Sequence, residues 1–151
     1  MQLMLVDDEE RFLSTTSKLL TQKGFKVFTA GSGEDALEIL KRENIPVVIL
    51  DVKMPGMDGI ATLREIKCRF PLIEVIMLTG HGTVESAVTG LKSGATDYLT
   101  KPVDIDVLIE KAKEAFEKKR RLEEKILIAQ SIYERRKAAY MRSPKDGLKA
   151  I

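Results

Sequence analysis

Five short runs of β-forming residues punctuate the first two thirds of the chain, at 3–6, 26–30, 47–50, 74–78 and 96–100. Between them, apolar residues recur at helical spacing. Phe12, Leu19 and Leu20 come first, then Ala36, Leu37, Ile39 and Leu40. A third set is Ile60, Leu63, Ile66 and Phe70, and a fourth is Val84, Ala87, Val88 and Leu91. Helix starts are marked by Ser32, with Asp35 three residues on as in a capping box, and by Asp104, flanked by Val103 and Leu108 as a hydrophobic staple. Gly24 and Gly94 stand where helices must stop. Strand and helix alternating five times predict a parallel sheet with helices on both faces. The third and fourth strands are almost wholly apolar, as strands covered on both faces should be.

The expected architecture is α/β, a flavodoxin-like (βα)5 unit with strand order 2-1-3-4-5 and an extended C-terminal helix. Ligands of such sheets sit beyond the carboxyl ends of the strands, near the switch between the first and third. That edge gathers Asp7, Asp8, Asp51, Thr79 and Lys101-Pro102. Adjacent carboxylates repel and raise one another's pKa unless a cation lies among them. Hard oxygen donors with room for water suit Mg²⁺. Carboxylates around a metal, with a lysine and a threonine beside them, are equipped for phosphoryl transfer, which needs positioning and charge neutralisation. Asp51 can be the nucleophile and form an acyl phosphate. Asp8 and Asp51 would hold the metal and Asp7 orient its water, while Lys101 and Thr79 meet phosphoryl oxygens. Pro55-Gly56 has the signature of a type II turn, and Met54 and Met57 read as packing.

Composition narrows the setting. At 151 residues, 44% hydrophobic and 32% charged, the chain supports one globular domain. Its net charge of +2 divides into 12 Lys/Arg against 14 Asp/Glu over residues 1–103 and 13 against 9 over 104–151. That excess is too weak to argue for nucleic acid. The lone Cys68 allows no internal disulfide, fits a reducing compartment and is expected to pack as a small hydrophobe. The first residues lack a basic leader, and no run is apolar enough to span a membrane. A cytoplasmic protein is expected.

Four stretches carry a resemblance: LVDDEE at 5–10, VILDVKMPGMDG at 48–59, MLTGHG at 77–82 and GATDYLTKP at 94–102. In sequence and spacing they resemble the receiver domain of two-component response regulators, from residue 2 to about 118. The resemblance implies that a histidine kinase passes phosphate to Asp51 with Mg²⁺ bound. It makes Asp7 and Asp8 the acidic pair, adds the Lys53 backbone carbonyl to the metal shell, and makes Thr79, Tyr98 and Lys101 the switch residues. It also implies a cis Lys101–Pro102 bond. Thr79, moving to meet a phosphoryl oxygen, would vacate space into which Tyr98 turns, changing the surface of helix 4, strand 5 and helix 5. Such a chain is a phosphorylatable switch assisting its own phosphorylation and dephosphorylation, not an enzyme. Lys53 and His81, each two residues past a site residue, resemble the choice in receivers of enhancer-dependent transcription activators. They are expected to tune access of hydrolytic water and so phosphate lifetime.

The helical pattern continues past the receiver. In a 4-3 frame from 108 to 140, eight of ten positions are apolar or aromatic, interrupted by Lys119 and Arg136. Such a stripe suits a coiled coil or a docking helix. The expected division is a receiver at 1–118, a helical extension at 119–142 and a frayed end at 143–151. The extension is too short for an output domain, so the chain is either a stand-alone receiver or the regulatory piece of a longer transcription factor. Expected partners are a sensor histidine kinase, a downstream effector protein, and a second copy met through helix 4–strand 5–helix 5 or the C-terminal helix. Neither direct nucleic-acid binding nor a membrane is expected. Dehalogenase-like phosphatases use a similar residue set, but need a general acid where Lys53 stands and an acidic pair late in the chain. A flavodoxin would place its phosphate against Asp7-Asp8-Glu9-Glu10, which repel it. A degenerate receiver would lack site residues that are all present here.

Overall fold

A computed structural model of the chain describes residues 1–142, so the frayed end expected at 143–151 lies outside the described residues. Five strands alternate with five helices: β1 (Gln2–Val6), α1 (Glu10–Gln22), β2 (Lys26–Ala30), α2 (Gly33–Arg42), β3 (Val47–Leu50), α3 (Gly59–Arg69), β4 (Glu74–Thr79), α4 (Val84–Lys92), β5 (Asp97–Thr100) and α5 (Ile105–Arg142). All pairings are parallel and the strand order is 2-1-3-4-5, as the alternation predicts.

The period of two along each strand divides the core into two layers. Leu3, Leu5, Val47, Ile49, Ile76 and Leu78 face one side, where Leu20 of α1 and Leu108, Ala112 and Ala115 of α5 cover them. Met4, Val6, Val48, Leu50, Val75 and Met77 face the other, under Leu37 and Leu40 of α2 and Leu63 and Ile66 of α3. Full burial of each such side chain contributes about 1.5–3 kcal/mol relative to exposure.

Helix ends follow local chemistry. Gly24 and Gly94 take positive φ, at 95° and 108°, just past the C-caps of α1 and α4. The Ser32 side chain accepts the Asp35 N–H at 3.1 Å, and Asp58 accepts the Ala61 N–H at 2.8 Å to cap α3. The complete reciprocal capping box belongs to α4, between Thr83 and Ser86.

Three positions depart from expectation. The apolar stripe of α4 faces outward, with Val84 83% exposed and Val88 and Leu91 about half exposed. The side of α4 turned to the core is built of small residues: the Cβ position of Gly90 lies 3.6 Å from Met77 Cγ and 3.7 Å from the Tyr98 ring. Glu74 is buried at the start of β4, where the Thr96 hydroxyl donates to its carboxylate and Lys118 Nζ lies 3.5 Å away. Cys68, expected to pack, is exposed on α3.

The chain forms two compact units, Met1–Lys119 and a second beginning at Arg120. The stripe at 108–140 therefore meets two environments. Leu108, Ala112 and Ala115 are buried in the first unit, whereas Leu122, Ile126, Tyr133 and Tyr140 in the second are exposed.

Candidate functional site

Hydrogen bonding continues one residue past three strands and holds their terminal side chains in place. Asp7 N–H donates to Ala30 O at 3.1 Å, Asp51 N–H to Val6 O at 2.9 Å, and Lys101 N–H to Thr79 O at 2.9 Å. Each residue thus leaves a rigid post with its side chain at the sheet's carboxyl edge. There the carboxylates of Asp7, Asp8 and Asp51 come together, their oxygens within 4.8 Å of one another. Asp7 and Asp51 are buried and Asp8 is exposed, so the cluster opens to solvent on one side.

Lys101 reaches in from the end of β5, and its Nζ meets Asp7 Oδ2 at 2.5 Å. The same ammonium lies 3.8 Å from the centre of the Phe12 ring, a cation–π contact that holds the chain of Lys101 over the cluster. Asp7 Oδ1 accepts the Glu9 N–H at 2.9 Å, and Asp51 Oδ1 accepts the Val52 N–H at 2.8 Å. Burial pushes the Asp51 carboxyl above its ordinary range and the charge of Asp7 pushes the same way. The Thr79 hydroxyl, Lys101 and the Val52 N–H pull it back without cancelling the rise. Three carboxylates against one ammonium leave the cluster short of positive charge. With its all-oxygen donors, it fits a hard divalent cation.

Thr79 is buried and its Oγ1 accepts the His81 N–H at 3.1 Å, leaving its own proton for an acceptor in the site. The loop after β3 turns away at Pro55-Gly56, where Gly56 has φ +73° as the turn requires. Lys53 and His81 line one open cleft of about 600 Å³ with Asp8, Val52, Met54, Pro55 and Asp58. Met54 and Met57 pack with the core. The Lys101–Pro102 bond is cis, as the resemblance implies.

Tyr98 stands apart from the carboxylates. It is half-buried, packed against the α2–α3 layer, with its hydroxyl 2.7 Å from Ser86 Oγ.

Three residues shape the site without having been singled out by sequence. Phe12 reads as an ordinary core aromatic. Glu34 reads as an acid in a helix's first turn, yet its Oε1 accepts the Met57 N–H at 3.1 Å and steadies the loop. Backbone donors, its own first and then that of Met57, hold its carboxyl below the ordinary range. Gly59 starts α3 directly against the backbone of Asp51 and Val52, so any Cβ there would collide with the Asp51 carbonyl. The Asp58-Gly59 pair is the only one of these signals visible in the chain, as a cap followed by a residue without a side chain.

Comparison with known proteins agrees with this geometry. The family model described as response regulator receiver domain matches residues 3–113. Transcriptional regulatory protein ZraR of Escherichia coli K12 is 44% identical over 106 residues, which are 70% of this chain and 24% of that protein. An NtrX-like response regulator of Rickettsia bellii is 41% identical over 116 residues, 76% of this chain and again 24% of the relative. The chain thus spans about a quarter of the length of these relatives. Among solved structures, a response regulator receiver domain protein of Clostridium thermocellum superposes with TM-score 0.76 at 39% identity, covering 80% of this chain and 98% of that one. NtrX of Brucella abortus in complex with ADP superposes with TM-score 0.77 at 34% identity, covering 82% and 28%. Fold, motif spacing and these matches coincide over the same residues, and the chain belongs to the response regulator receiver domain family.

Proposed function

We propose that Asp51 is the phosphoacceptor of a two-component switch. The observation that carries this is the buried Asp51 carboxylate held within 4.8 Å of Asp7 and Asp8, with Lys101 drawn to the same cluster. A carboxylate oxygen of Asp51 attacks phosphorus, the P–N bond of a kinase phosphohistidine breaks, and the imidazole leaves with the electron pair. Asp7, Asp8, Asp51 and the Lys53 backbone carbonyl would hold Mg²⁺. When bound, that ion neutralises charge on the phosphoryl oxygens. Lys101 moves from Asp7 toward one phosphoryl oxygen and Thr79 donates to another. Tyr98 then reports the change to the face of α4, β5 and α5.

Incubation with Mg²⁺ and acetyl phosphate, followed by intact-mass measurement, should show one added phosphoryl group. Asp51→Asn should show none; an unmodified parent under every donor tried would sink the assignment. Lys53 and His81, lining the cleft beside Asp8, gate the hydrolytic water. Replacing either by Ala should change the dephosphorylation half-life several-fold, and unchanged half-lives would remove that role.

The receiver covers 1–118, followed by a helical extension over 119–142. Its exposed Leu122, Ile126 and Tyr133 pair with a second copy of the chain, the face of α4, β5 and α5 being the alternative surface. Sedimentation of the parent should show a concentration-dependent dimer that Ile126→Asp weakens. The upstream partner is a sensor histidine kinase and the downstream one an effector protein or domain. No helix of the described residues is long and apolar enough to cross a membrane.

A further inference from the structure

We infer that Ser86 is the positioning residue of Tyr98: its hydroxyl accepts the Tyr98 O–H and holds the aromatic turned in beneath the loop between β4 and α4. This rests on the proposed role of Tyr98 in the switch and names what sets the orientation of its ring.

A serine hydroxyl has one proton and two lone pairs. The Ser86 hydroxyl donates to Thr83 O at 3.0 Å, and its Oγ accepts the Thr83 N–H at 2.9 Å. One lone pair remains, and Tyr98 Oη lies 2.7 Å from Ser86 Oγ. The rival donor is the Thr83 hydroxyl at 3.2 Å, whose Oγ1 already accepts the Ser86 N–H at 3.0 Å. The tyrosine is nearer and its phenol is the more acidic donor, so the proton between the two side chains belongs to Tyr98. The aromatic is thereby bound into the capping box of α4.

Space for it comes from glycine. A Cβ on Gly82 would stand 2.8 Å from Tyr98 Oη, 3.1 Å from its Cε1 and 3.3 Å from Thr79 Cγ2. Gly82 does not take a positive φ, so its missing side chain, not its backbone freedom, is what the slot uses. On the other side, the Cβ position of Gly90 lies 3.7 Å from Tyr98 Cδ2. The tyrosine is therefore inward, beside the Thr79 methyl. A half-buried phenol needs an acceptor to stay there, and Ser86 provides it. An outward tyrosine would find water instead, so the Ser86 hydroxyl biases the two orientations. Orientation of the ring and order in the first turn of α4 become one variable.

The test uses the full chain and two measurements. The first is the ring ¹³C–¹H NMR signals of Tyr98 in the unliganded protein. The second is affinity for beryllofluoride in the presence of Mg²⁺. Ser86→Ala should move the Tyr98 signals toward those of an exposed tyrosine and weaken beryllofluoride binding about five-fold, the size of one neutral hydrogen bond. Ser86→Thr, which keeps the hydroxyl, should restore both. Tyr98→Phe should weaken binding in the parent and not further in Ser86→Ala. Thr83→Ala removes the cap's side chain but not the acceptor, and should leave the Tyr98 signals in place. Unmoved Tyr98 signals in Ser86→Ala, or additive effects of Ser86→Ala and Tyr98→Phe, would overturn the inference. If the parent does not bind beryllofluoride, the role of Asp51 fails, and the ring signals alone decide the role of Ser86.

Discussion

Asp51 stands where burial and the charge of Asp7 oppose its ionisation. Burial and Asp7 raise its pKa, so as pH climbs the unfolded chain gives up this proton first, and ionisation works against folding. With a chelator present at neutral pH, Asp51→Asn should therefore be more stable than the parent, by about 1 kcal/mol, the ordinary size of a single-residue effect. Below about pH 3, where the acid is protonated in both states, thermal denaturation should no longer separate the two proteins. A neighbouring residue acts with the opposite sign. Gly59→Ala drives a methyl into the Asp51 carbonyl and should cost about 2 kcal/mol in denaturant unfolding. Neither effect is visible in residue type alone, because each depends on which backbone lies opposite.

At the scale of elements, α4 is the least conventional. Val84, Val88 and Leu91 point outward and the buried position of its inner side is Gly90, so little apolar burial holds it to the sheet. The Thr83–Ser86 box closes its first turn, and Ser86 ties that turn to Tyr98 of β5. Few buried apolar contacts place a helix toward the low-stability end of a fold. Gly90 sits mid-helix at some cost in conformational entropy, and its Cβ position meets neighbours only at ordinary contact distances. Gly90→Ala should raise stability by about 0.5–1 kcal/mol, measurable as a higher melting temperature. A loss instead would mean that the α4–Tyr98 packing has no room for a methyl. β4 shows the converse arrangement, an apolar strand that begins with the buried Glu74 carboxylate, satisfied by Thr96 and Lys118.

For the whole molecule, a cation held at the carboxylate cluster would couple metal binding to folding. A cation that binds only the folded chain stabilises it by about 1.4 kcal/mol at ten times its dissociation constant. Mg²⁺ should raise the melting temperature of the parent accordingly, EDTA should reverse the rise, and Asp8→Ala should abolish most of it. An equal rise in the variant would show that the ion acts elsewhere.

Local sequence already determined the alternating elements, the strand ends that deliver Asp7, Asp51, Thr79 and Lys101, and the stops at Gly24 and Gly94. These rest on short-range physics: a side-chain period of two or 3.6, a buried strand's intolerance of charge, and glycine's access to positive φ. Their convergence was legible too, because strand order in a parallel sheet follows from few rules and fixes which loops share an edge. Only the tertiary structure decided which side of α4 faces the core, that Glu74 is buried and Cys68 is not, and that Gly59 and Gly82 are spaces. It alone decided that Tyr98 hangs on Ser86. Each of those depends on a partner distant in the chain, and an isolated segment cannot specify what will be packed against it.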